Sequence, residues 1–128
     1  MSDSEKGRVL GVGGVFFRSA DPVALSEWYT EHLGFQTEKW GNTCGVSFAP
    51  ADMPANAFTV WGAFEANTEY FGDSGQAFMI TRVVDDLDAA RANVEAGGAE
   101  VLEQREEHAF GRFGWFVDPS GNRVELWE

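Results

Sequence analysis

Two stretches of this chain run through the same series of elements in the same order, and that duplication limits the folds open to it. The first passes from the apolar run RVLGVGGVFF (8–17) into Asp21-Pro22, a helical pattern and then LGFQTEKW. The second passes from QAFMITRVV (76–84) into Asp85-Asp86-Leu87, a helical pattern and then GGAEVLEQ. In the first helix Asp21 is placed to cap the free N–H groups and Pro22 suits the opening turn. Leu25, Trp28, Tyr29 and Leu33 recur at helical spacing, and Gly34 stops the run. Asp86 caps the second helix, Leu87, Ala90 and Val94 line one face, and Gly97-Gly98 end it. Short strand-like runs follow each helix, near 35–40, 44–49 and 58–64 in the first half and 99–107, 112–117 and 122–127 in the second. The reading is an α+β chain with two βαβββ modules in tandem. Module one spans about 8–64, a Gly-, Asp-, Asn- and Thr-rich linker 65–76, and module two about 77–128. Together they form a single domain over 7–128 behind a frayed tail at 1–6.

The end of the chain, DPSGNRVELWE, fixes the last strand's register through its turn chemistry. Asp118 can hydrogen-bond its own backbone, Pro119 sets φ at the first corner, and Gly121 can take the left-handed conformation that closes a hairpin. With side chains alternating, Val124 and Leu126 then share one face, and Arg123, Glu125 and Trp127 share the other. Glu125 is thereby directed away from the aliphatic face, towards solvent or a pocket.

Composition excludes several classes of function. The chain has 128 residues, 44% of them hydrophobic and 14% aromatic, enough for one core. Nine basic against 21 acidic residues give a net charge of −12, which repels phosphate backbones and anionic membranes. Neither nucleic acid nor a membrane is expected as a partner. The lone Cys44 allows no internal disulfide and reads as a small core residue. No apolar run has the length of a membrane span or the flanks of a signal peptide, so a reducing cytoplasm is the expected compartment. GVGG (11–14) opens no helix, no Walker pattern occurs, and no serine sits in a nucleophile elbow.

A four-stranded sheet with a helix on one face must have its other face covered, and two such sheets facing each other enclose a groove. The motifs DPSGNRVELW, DP…WYTEHLGF and VDDLDAA…GGAEV resemble those of the vicinal oxygen chelate superfamily, which includes glyoxalase I, fosfomycin- and bleomycin-resistance proteins and extradiol dioxygenases. The resemblance covers about Val9 to Trp127. It implies a groove between curved sheets and, where metal is used, two His or Glu ligands from each half. Those positions fall here at Gly14, at Thr59 or Val60, at Met79 and at Glu125. Glu125 is the one match, so no conventional metal centre and no cofactor are expected.

In phase with Glu125, the groove candidates are Trp115 and Phe113 on the preceding strand and Phe16 and Arg18 on the first. Thr81 and Val83 lie in phase with Met79. Trp61 and Phe48 fit either the groove wall or the core. His108, in a loop at the groove mouth, suits contact with substrate or acid–base work, whereas His32 is expected to be exposed near its helix end. Arg82 falls on the helix-facing row, where a lone charge is costly. Either it lies at the strand's edge or the register slips by one and pairs it with Glu125. These features suit a small organic ligand held without metal, as bleomycin-resistance proteins hold theirs. The alternative is a glyoxalase-like lyase or a dioxygenase with a displaced or partial divalent-metal site that includes Glu125. The resemblance further implies a homodimer.

Overall fold

A computed structural model of the chain describes residues 7, 12 and 14–128. The tail expected at 1–6 and most of the first expected strand, 8–11 and 13, lie outside the described residues. The elements run α1 (Pro22–Leu33), β1 (Glu38–Trp40), β2 (Thr43–Gly45), a 3₁₀ turn (Pro50–Asp52), β3 (Ile80–Val83), α2 (Leu87–Ala96), β4 (Glu100–His108), β5 (Gly111–Val117) and β6 (Arg123–Trp127).

The helices begin and end where their capping residues stand. Asp21 accepts from the Ala24 N–H at 3.1 Å, Pro22 opens α1, and Gly34 closes it at φ 70°, a left-handed conformation that suits glycine. Asp86 likewise accepts from the Ala89 N–H at 3.0 Å, and Leu87, Ala90 and Val94 are the buried residues of α2. Both helices cover one face of a four-stranded sheet ordered β3-β6-β5-β4. In it β3 and β6 run parallel and the other pairs antiparallel. This is a complete βαβββ unit.

Between the helices and the sheet lies the core: Leu25, Tyr29, Leu87, Ala90, Val94, Phe116, Val124 and Leu126. Trp28 and Leu33 pack against it, and the Trp28 Nε1–H donates to the Gly97 carbonyl at 2.9 Å, tying α1 to the end of α2. His32, expected to be exposed, is half-buried and tilts against the Trp28 ring at 5.2 Å. Its last-turn position places it in the seam between the helices.

The β5–β6 hairpin is built as its turn residues dictate. Asp118 Oδ1 accepts from the N–H groups of Ser120 and Asn122, and Gly121 turns at φ 84°. The other oxygen, Oδ2, accepts from the Tyr29 hydroxyl at 2.8 Å, so one buried carboxylate joins the hairpin to α1. Val124 and Leu126 therefore face the helices, and Glu125 faces away with Trp115 directly opposite it.

The first half is more open. Among the described residues its sheet is the two-stranded β1–β2 hairpin, and residues 14–18 and 57–65 carry no regular structure. The run AFTVWGAF (57–64) explains why. As a strand it would place Phe58, Val60 and Phe64 on one face and Trp61 on the other, which demands an apolar layer on both sides. The chain supplies only part of one: Trp61 is 80% exposed, and Phe48, Phe58, Val60 and Phe64 are exposed as well. The α+β class stands: among the described residues two helices lie on one complete sheet and the first module's sheet is not closed. Among the described residues no helix is long and apolar enough to cross a membrane.

The core makes a quantitative expectation. Leu126 is fully buried beneath both helices, so Leu126→Ala should lower unfolding free energy by about 2–5 kcal/mol, read as a fall in the urea midpoint at unchanged slope.

Candidate functional site

Glu125 is the centre of the sheet face that the helices leave free. It sits in the middle of β6, flanked in register by Trp115 on β5 and Thr81 on β3. Only 6% of it is exposed, and three donors converge on its carboxylate. Trp115 Nε1–H reaches Oε2 at 3.0 Å, the Tyr70 hydroxyl reaches the same oxygen at 2.5 Å, and the Thr81 hydroxyl reaches Oε1 at 2.9 Å. All three donors are neutral. No cation lies within ion-pair distance of it among the described residues. The Arg123 guanidinium, on the same face, lies instead over the Trp115 ring at 5.4 Å.

Aromatic rings extend the face on both sides of this carboxylate. Phe113 stacks on Trp127 at 5.5 Å, and Phe58 from the first half meets Trp127 edge-on at 5.2 Å. On the other side Tyr70 stands edge-on to Trp115 at 5.9 Å and stacks on Phe64 at 5.3 Å. His108, the last residue of β4, stacks on Phe110 at 5.0 Å and meets the edge of Phe113 at 5.9 Å. Its Nε2 lies 2.9 Å from Glu106 Oε1, and both residues are accessible to solvent.

The expected site residues thus fall into two groups and one outlier. Glu125, Trp115, Phe113 and His108 share the free face. Arg82 is on the other face, level with Leu126, with its guanidinium against the rings of Tyr29 (5.8 Å) and Phe35 (5.1 Å). The register does not slip, and β3 is the edge strand, which resolves the two possibilities for this residue: a pairing of Arg82 with Glu125 does not form. Phe16 and Arg18 line a cleft beside Arg82 rather than the Glu125 face. Trp61 is the outlier, exposed in an irregular segment.

Arg123 and Trp127 stand on the Glu125 face as the alternation of β6 predicts, and Tyr70 completes it from outside the expected residues. Tyr70 lies in the segment that reads as a linker. Its one local signal is an aromatic pair, Tyr70-Phe71, set in polar sequence.

Burial and acidic partners push both phenols in the same direction. Desolvation, then the Asp118 carboxylate, raises Tyr29 well above its ordinary 10.0, and desolvation with the hydrogen bond to Glu125 does the same for Tyr70.

A family model described as a glyoxalase-like domain matches residues 14–127. The chain belongs to this family. Among solved structures similar to it is a glyoxylase/bleomycin resistance protein/dioxygenase domain from Frankia sp. EAN1pec. It is 16% identical, with 94% of this chain and 98% of that one covered at a TM-score of 0.54. A glyoxalase/bleomycin resistance protein/dioxygenase family enzyme from Burkholderia phytofirmans PsJN is 20% identical, covering 88% and 92% at 0.51. A lactoylglutathione lyase from Agrobacterium tumefaciens is 20% identical, covering 91% and 94% at 0.50. At such identities the likeness is one of fold. Among curated proteins none matches the chain.

A divalent metal, which glyoxalase-like folds often carry, does not fit the residues on this face. Gly14 and Met79 offer no hard ligand, and Thr59 and Val60 lie in an irregular exposed segment. Glu125 spends its lone pairs on O–H and N–H groups whose positive ends point where a cation would have to sit. Among the described residues no three His, Cys, Asp or Glu converge.

The raised phenol values carry a pH consequence. The folded state holds both protons more tightly than the unfolded chain, so this contribution to stability is complete below pH 10 and is lost as pH rises above it. The chain has two tyrosines. A spectrophotometric titration should therefore show no tyrosinate near pH 10, and ionisation should coincide with alkaline unfolding.

Proposed function

We propose that this glyoxalase-like protein binds a small, positively charged organic molecule on the aromatic face around Glu125 and sequesters it without metal. The observation that carries the reading is a carboxylate kept by three neutral donors, with no cation within ion-pair distance among the described residues, in a wall of Trp115, Phe113, Trp127 and Tyr70. Aromatic faces attract organic cations, and a carboxylate at their centre adds direction. The net charge of −12 raises the local concentration of cations. A bound ammonium or guanidinium takes the place of the Tyr70 hydroxyl at Glu125. That is feasible because Tyr70 is carried by an irregular segment rather than by the sheet.

Bleomycin, a cationic glycopeptide, is the probe suggested by the names of the structural relatives. In excess it should raise Tm, by about 2.7 kcal/mol of stabilisation at roughly a hundredfold over Kd. Glu125→Gln should abolish the shift and Tyr70→Phe should enlarge it. No shift for the unaltered protein would remove the sequestering reading.

One observation favours a second reading, a lyase- or dioxygenase-type enzyme: the His108–Glu106 pair at 2.9 Å beside the aromatic row has the geometry of a base with its orienting carboxylate. Metal analysis separates the two. One equivalent of Mn, Ni, Zn or Fe(II) in the purified protein, lost in Glu125→Gln, would support the enzyme and contradict sequestration.

The protein is proposed to act as a homodimer, its second copy covering the first-half apolar residues Phe48, Val60 and Trp61 that one chain leaves exposed. Light scattering at micromolar concentration should give twice the chain mass, and a monomer mass would refute the pairing.

A further inference from the structure

We propose that the cleft between residues 16–18 and the outer edge of β3 is a second binding site, for a small aromatic anion, with Arg82 as its anchor and Arg18 at its mouth. The cleft measures about 380 Å³, within the range of small-molecule sites. Phe17, Phe78 and Ile80 are its apolar lining, with Phe16, itself 90% exposed, beside them, and Arg82 and Arg18 line it together with Arg123. It lies at the sheet's edge on the Arg82 side, so it does not rest on the ligand proposed for the Glu125 face.

Arg82 is the decisive residue. Its Nε is shut off from solvent and has no hydrogen-bond partner among the described residues, and no carboxylate lies within 4.0 Å of its guanidinium among them. Contact with the faces of Tyr29 and Phe35 stabilises it, and the Asp118 carboxylate, beyond ion-pair distance, favours its charge. Asp118, which also lines the cleft, has both oxygens committed, to the Tyr29 hydroxyl and to the Ser120 and Asn122 N–H groups. A guanidinium left in this state is costly, and burial lowers its proton affinity. A carboxylate, sulfonate or phosphate ester supplies what is missing, because its paired oxygens match the guanidinium fork. A ring attached to that anion fills the space between the phenylalanines.

The charge distribution is informative here. In a chain with nine basic residues against 21 acidic ones, three of the nine, Arg18, Arg82 and Arg123, line one small cleft, and Arg123 turns its guanidinium to the Trp115 ring, which leaves Arg18 and Arg82 for a ligand. The field of the whole chain repels anions, so affinity must come from contact with these two groups rather than from long-range steering.

The test is calorimetric titration of the full chain with 2-naphthoate and with neutral 2-naphthol, which share a ring system and differ in the anion. Naphthoate should bind once per chain and at least about tenfold more tightly than naphthol. Arg82→Met should weaken naphthoate by about tenfold or more, and Arg18→Ala, at an exposed position, by about threefold or more. Arg105→Ala removes the same charge on β4, at the far edge of the sheet, and should leave affinity within about twofold. Equal binding of naphthol, or unchanged affinity in Arg18→Ala, would overturn the site. So would an Arg105→Ala loss as large as that of Arg18→Ala. Should Arg82→Met not fold, the naphthoate-to-naphthol ratio and the two exposed variants decide the matter.

Discussion

One buried carboxylate, Asp118, fixes the geometry on which the rest depends. Through Oδ1 it gathers the N–H groups of Ser120 and Asn122 into the turn, and through Oδ2 it accepts the Tyr29 hydroxyl from α1. The turn sets the register of β6 on β5, and the Tyr29 bond sets which face of that pair the first helix covers. Everything else about the faces follows. A slip of one residue would send Glu125 into the core against Val94 and Leu87 and bring Val124 and Leu126 out. An unpaired carboxylate there costs several kcal/mol, roughly the whole margin of a small domain.

With the register fixed, the same residue that resembles a family metal ligand becomes something chemically different. A metal-binding carboxylate needs free lone pairs and further hard ligands, whereas Glu125 is met by an indole N–H and two hydroxyls. Hydrogen bonds to an ionised acceptor contribute about 1.5–3 kcal/mol each, so this clamp stabilises a negative charge on a nearly closed aromatic face. A glyoxalase-like fold is indifferent to which of these uses its sheet face serves. The distinction lies in three side chains, not in the topology.

Much of this was legible in the sequence because it is encoded locally. The caps Asp21 and Asp86, the stops Gly34 and Gly97-Gly98, and the DPSG turn each act within a few residues, and the elements begin and end at them. The alternation of β6 then gave the sides of Val124, Glu125 and Leu126 correctly, and with them Trp115 and Phe113. Two things were not legible. Tyr70 reaches Glu125 across 55 residues from a segment whose composition reads as a linker, and no periodicity marks such a contact. The run 57–64 has strand composition, but a strand apolar on both faces forms only where neighbours cover both, and composition cannot supply the neighbours. Arg82 lies between these cases. Its row was readable from the alternation of β3, while its environment, two aromatic rings in place of an acid, depends on how α1 packs.

The Trp115 indole N–H reports on the central assignment, because its proton points at the oxygen that a metal would have to take. Its resonance in a nitrogen-correlated NMR spectrum, followed as manganese is added to one equivalent, is the most direct measurement. A carboxylate held by three protein donors leaves that resonance sharp, shifted by its hydrogen bond and slow to exchange with solvent. Selective broadening of the Trp115 resonance at stoichiometric manganese would place a metal at Glu125 and contradict the assignment.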